Sequence, residues 1–174
     1  MTAYYAGIGS RSTPPEILSI MTRLATKLEQ DNYILRSGGA SGADSAFQAG
    51  VKNPTNMEIY LPSSSFNGLS AGSPGIINYQ SLHHAVTAEI TVDVYHPEPD
   101  RLSSFARHLM ARNAMQVMGY DMDTPAKMIV AYTTDGAITG GTGQALRMAQ
   151  EMGIPIRNLG VPDTLHSTLE YISS

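Results

Sequence analysis

Three times along this chain a short apolar run ends in glycine and passes into helical spacing. The runs are Ala3 to Ile8, Tyr33 to Leu35 and Met128 to Tyr132. The turns after them are Gly7-Ile8-Gly9-Ser10-Arg11, Ser37-Gly38-Gly39-Ala40-Ser41-Gly42 and Gly140-Gly141-Thr142-Gly143. Met57 to Leu61 and Ile156 to Leu159 read as two further strands. Helices lie between them: one from Pro15, with Ile17, Leu18, Met21, Leu24, Ala25 and Leu28 on a single face, then Ala43 to Gly50, Tyr79 to Tyr95, Leu102 to Met118, a helix ending at Met152, and Leu165 to Ile172. Strands that alternate with helices predict a parallel sheet covered on both faces. The expected fold is α/β, an open parallel sheet of about five strands in the order 3-2-1-4-5, with the switch point between the first and fourth. Pro62 to Asn78, rich in Ser, Gly and Pro, reads as a long surface loop of the lid or binding kind.

At 174 residues the chain reads as one domain, residues 1–174. Its 18.6 kDa predict a folded surface of roughly 8,000 Å² against about 27,000 Å² for the open chain, enough burial for a core without staples. The absence of cysteine excludes disulfides, thiolate zinc sites and cysteine nucleophiles. No apolar run approaches the ~20 residues of a membrane span, and Met1 to Arg11 does not read as a secretory signal. The expectation is a cytoplasmic protein without a membrane partner. Charge is sparse and acidic, 11 basic against 15 acidic residues and net −4. That argues against a wide basic grip on nucleic acid and leaves room for a small anion pocket. Arginine outnumbers lysine 8 to 3, and arginine is the better bidentate phosphate ligand.

In the expected strand order the three glycine turns meet at the C-terminal edge of the sheet, where open α/β sheets bind ligands. Glycine lets backbone N–H groups approach phosphate, and a helix N-terminus adds a favourable dipole. The candidate nucleotide- or phosphate-binding residues are therefore Gly9, Ser10, Arg11, Ser37, Gly38, Gly39, Ala40, Ser41, Gly42, Gly140, Gly141 and Thr142, joined by Asp44 and Arg112. Arg11 and Arg112 are the arginines nominated for ligand contact. Arg36 and Arg147 stay open between ligand contact and structural pairing. Asp44 either complements a helix dipole or accepts a ribose hydroxyl. On this reading Gly39→Val keeps the fold and abolishes ligand binding, and Arg112→Ala weakens binding with little loss of stability. No nucleophile–base constellation is present, and no catalytic residue is nominated. His83-His84, read as lying on a helix with Asp93 and His96 downstream, does not make a metal site, because adjacent helical residues face apart. The P-loop and G-x-G-x-x-G fingerprints are both absent.

The motifs Gly7 to Arg11, Arg36 to Asp44, Arg112-Asn113 and Gly140 to Gly143 resemble the DprA-like and LOG-like Rossmann superfamily, over about Ala3 to Leu159. The arrangement is most similar to short, single-domain DprA-like proteins, many carried by bacteriophages. The resemblance implies a Rossmann-like fold, a nucleotide-type ligand at the glycine turns and a homo-oligomer. The LOG-like phosphoribohydrolases carry Gly-Gly-x-Gly-Thr-x-x-Glu. Here the glutamate position holds Arg147, and Arg112-Asn113 stands where they have Arg-Lys. Asp44 and Glu89 are the only substitute acids. Three functions follow as expectations. The main one is a module binding a nucleotide or nucleotide-derived phosphate ligand. The alternative is a DprA-like recombination mediator that binds single-stranded DNA. The weakest is a nucleoside 5′-monophosphate phosphoribohydrolase.

Overall fold

The computed structural model describes residues 2–138 and 140–174. Its central sheet has six strands, all paired in parallel, in the order β6-β3-β2-β1-β7-β8. They are β1 (Ala3–Gly9), β2 (Tyr33–Ser37), β3 (Met57–Leu61), β6 (Ile76–Asn78), β7 (Met128–Tyr132) and β8 (Ile156–Asn158). A separate antiparallel ribbon pairs β4 (Ser65–Phe66) with β5 (Leu69–Ser70). The five expected strands stand in the expected order. The sixth, β6, and the β4–β5 ribbon both fall within Pro62 to Asn78, so that segment is not the featureless loop its composition implies. Three residues of β6 add to the exposed side of β3, with Ile59 opposite Ile76 and Leu61 opposite Asn78.

Alternation along the strands builds two cores. Tyr5, Leu35, Ile59 and Val130 face one layer, formed by α1 (Pro15–Gln30), α2 (Ala43–Gly50) and α6 (Pro162–Ser173). Ala6, Ile8, Tyr60, Ile129 and Ala131 face the other, formed by α3 (Ala85–Tyr95), α4 (Ser104–Met118) and α5 (Gly140–Met152). The apolar face read for α1 is largely the buried one: Ile17, Met21, Leu24, Ala25 and Leu28. The folded chain exposes 8197 Å², in line with its mass.

Two readings change. Helical spacing from Tyr79 resolves into a short 3₁₀ turn at Tyr79–Ser81, and the α-helix begins at Ala85. His83 and His84 therefore lie in the turn ahead of α3, with their ring centroids 4.9 Å apart edge to face. Arg36 is structural. It is 1% exposed, stacks on Tyr4 at 4.0 Å, pairs with Glu58 at 3.2 Å and donates to the Thr124 carbonyl at 2.6 Å. Among the described residues no helix is long and apolar enough to cross a membrane, and no group of three acidic or histidine side chains is placed to hold a metal.

Candidate nucleic-acid interface

The chain runs outward from β1 through β2 and β3 to β6, then returns to the other side of β1 with β7 and β8. The switch point between β1 and β7 opens into a cleft of about 1030 Å³. Of the sequence-derived candidates, Gly9, Ser10, Arg11, Ala40, Asp44, Arg112, Gly141 and Thr142 line it. Ser37, Gly38, Gly39, Ser41 and Gly42 do not, and Gly140 opens α5.

The first two glycine turns are locked into each other. Gly42 has φ +83° and sits on the Arg11 backbone, where a Cβ would come within 2.7 Å of the Arg11 Cα. The Ala43 N–H donates to the Ser10 carbonyl at 3.3 Å, and Thr13 Oγ1 donates to the same oxygen at 2.7 Å. The second turn is tied to α2 and to β1. Ala40 N–H reaches Asp44 Oδ2 at 3.2 Å, Ser45 N–H reaches the Ala40 carbonyl at 3.1 Å, and the buried Ser37 hydroxyl donates to the Gly7 carbonyl at 2.7 Å. Gly39 turns its Cα towards Ile59, Leu61 and Leu69, away from the cleft. The expectation that Ser37 to Gly42 cradles a phosphate with its backbone therefore rests on Ala40 alone as a cleft-lining residue.

Arg112 lines the cleft floor and is 5% exposed. Its Nη1 lies 3.6 Å from Asp44 Oδ2 and donates to the Gly38 carbonyl, while Nε donates to the Leu109 carbonyl at 3.2 Å. Burial pushes the Asp44 carboxyl up, opposed by Arg112, by the Ala40 N–H and by the Ser37 hydroxyl. Asp44 is thus the counter-ion of Arg112, a role neither sequence reading gave it. Arg11, in contrast, is exposed at the rim and makes no ion pair among the described residues.

On the opposite wall the third glycine motif is the first turn of α5 itself, rather than a loop before it. Gly141 and Thr142 line the cleft there, with Asn113 Nδ2 donating to the Gly141 carbonyl at 3.3 Å. The start of a 13-residue helix carries partial positive charge and N–H groups that have no partner within the helix itself. Arg147 does not line the cleft. Its Nε donates to the Tyr95 carbonyl at 3.0 Å and ties α5 to the end of α3. Glu89 also lies elsewhere, hydrogen-bonded to the Tyr79 hydroxyl at 3.1 Å.

Sequence reasoning passed over the aromatic part of the site. Two of the chain's three phenylalanines, Phe66 on β4 and Phe105 on α4, line the cleft with ring centroids 6.3 Å apart. The Arg112 guanidinium lies 5.5 Å from the Phe66 ring. A lone phenylalanine inside a Ser-, Gly- and Pro-rich run was the available signal. Gln116, one helical turn beyond Arg112 on α4, also lines the cleft and was likewise unread.

The fold and the cleft together define a Rossmann-like α/β domain with a ligand-sized opening at its switch point. No protein-family model matches the chain, and no curated protein matches it. Among solved structures it is similar to DNA processing protein A from Helicobacter pylori, described for its unique single-stranded DNA binding mode. The two share 19% identity with a TM-score of 0.56, covering 97% of this chain and 72% of that one. At that identity the likeness is one of fold, which is DprA-like.

Proposed function

We propose that this chain binds single-stranded DNA in the cleft at the β1–β7 switch point, as a DprA-like module. The observation that carries the proposal is the pair of phenylalanine rings beside the α5 N-terminus, on a fold shared with a protein described as binding single-stranded DNA. Base stacking on aromatic rings tolerates any sequence and needs little net positive charge, which suits a chain of net −4. In this reading Arg11, Ser10 and the first turn of α5 meet the phosphate, and Phe66 and Phe105 meet the bases.

Fluorescence anisotropy with a labelled single-stranded oligonucleotide tests this. Phe66→Ala is expected to weaken binding about 5- to 150-fold, the range for losing one base–aromatic stack. Because Arg11 is the cleft's one exposed arginine, the salt dependence is expected to be shallow. A log–log slope of about −0.7 follows from one neutralised phosphate on a single strand. A slope steeper than about −4 would locate the DNA on some other, broadly basic surface.

A free nucleotide in the same cleft is the second reading, favoured by that single exposed cation, and nucleotide competition in the same assay separates the two. Hydrolysis of the nucleotide is not part of the proposal. Among the described residues the only carboxylate lining the cleft is Asp44, which is buried against Arg112. Incubation with nucleoside monophosphates is expected to release no free base by chromatography. A homo-oligomer, which the resemblance implies, belongs to the same proposal. Val86, Ile90 and Val94 are exposed along one face of α3, and Ile90→Glu is expected to lower the sedimenting mass.

A further inference from the structure

Gln116 is 0% exposed, lines the cleft, and has neither its amide N–H₂ nor its amide oxygen bonded to any described residue. Its neighbours are at least partly paired. On α4, Arg112 and Asn113 donate to backbone carbonyls, and on α5 Gln144 places its Nε2 on the Met110 carbonyl at 2.9 Å while its Oε1 is unpaired among the described residues. Buried polar groups are nearly always paired, and a fully buried glutamine on the cleft wall with both ends of its amide unpaired calls for a partner from outside the described residues. Substitution by an apolar side chain of similar volume relieves that cost in the free protein. Retaining the amide is therefore explained by what it binds.

Resting on the single-stranded DNA reading, we propose that Gln116 reads the edge of a nucleobase that enters the cleft. A primary amide offers one acceptor and one donor side by side. That pattern matches an adenine edge, which gives N6–H₂ and takes at N7 or N1, and it equally matches the adjacent donor and acceptor on the Watson–Crick edges of thymine, cytosine and guanine. The rings of Phe66 and Phe105 at the mouth supply the stacking surface, and the α5 N-terminus with Arg11 supplies the phosphate contact. Stacking and phosphate contacts would bind any strand. The buried amide would add a requirement for a hydrogen-bonding base edge, because a base analogue lacking that edge leaves it unpaired.

The test uses strands that keep stacking and phosphates while deleting the edge. Oligodeoxyadenylate is compared with the same strand built on purine, which lacks the N6 amine. Oligothymidylate is compared with a strand of its apolar isostere, difluorotoluene. Wild-type protein is expected to discriminate about 5- to 150-fold within at least one pair, the range of one two-point base contact. Gln116→Met is expected to bind both members of that pair alike and, without ligand, to melt at or above the wild-type temperature. Gln116→Glu, which keeps the shape and removes the donor, is expected to lose the same discrimination. Equal wild-type affinity within both pairs, or discrimination retained in both variants, overturns the role of Gln116 and leaves the DNA reading standing. Failure of wild type to bind any of the strands overturns the DNA reading itself.

Discussion

Arg112→Ala is expected to lower the melting temperature by about 6–20 °C. Removing one member of a buried ion pair typically costs ~3–5 kcal/mol, and in a chain of this size each kcal/mol moves the midpoint by about 2–4 °C. The substitution leaves Asp44, itself only 5% exposed, with the Ala40 N–H and no cation, and it takes a donor from the Gly38 carbonyl. It also removes the planar group beneath the Phe66 ring. This reverses the expectation drawn from the sequence, in which Arg112 touched ligand and contributed little to stability. The double variant Arg112→Met with Asp44→Asn is expected to recover most of the loss, because a neutral amide oxygen still accepts from Ala40. A scanning-calorimetry midpoint for Arg112→Ala within about 2 °C of wild type would class the pair with exposed salt bridges, worth ~0–1 kcal/mol.

Gly39→Val is expected to destabilise the fold by about 2–6 kcal/mol. Two costs combine, the left-handed backbone and the crowded core, each of order 1–3 kcal/mol. Gly39 has φ +72°, a region β-branched residues avoid, and its Cβ would lie 2.9 Å from Leu61 Cδ2, 3.0 Å from Leu69 Cδ1 and 3.3 Å from Ile59 Cγ2. Leu61 and Ile59 are fully buried on β3 and have little room to give. Urea denaturation measures the loss directly, and Gly39→Ala provides the milder comparison. A Gly39→Val protein with wild-type stability would return Gly39 to the ligand side of the turn.

Both cases mark where sequence reading stops. The repeated strand–glycine–helix pattern is local, and it carried the central strands, their order and the position of the cleft. What a glycine accommodates is not local. Gly39 is flanked like a phosphate-binding residue, yet its neighbour in space is a leucine from the next strand. The same holds for Asp44 and Arg112, which lie on different helices far apart in sequence and meet only in the folded chain. Strand β6 escaped notice because three residues are too short to show alternation, and its pairing partner is again β3. Phe66 went unread for a related reason, since a two-residue strand inside a polar run has no period of its own.

The β4–β5 ribbon has a consequence for how such a protein diversifies. It joins β3 to β6 as an outgrowth. Besides its own ladder, the Asn67 side chain reaches back to the Gly39 carbonyl at 3.0 Å, Phe66 lies against Arg112, and Phe66 and Leu69 pack against the core. None of the six strands of the central sheet pairs with it. Lengthening, shortening or recolouring this ribbon changes which ring overhangs the cleft while the registers of β1, β2 and β7 stay as they are. Selectivity and foldability are thus inherited separately. Variation between relatives should concentrate at positions 63–74, and grafting a foreign ribbon there is a route to a new preference on an unaltered chassis.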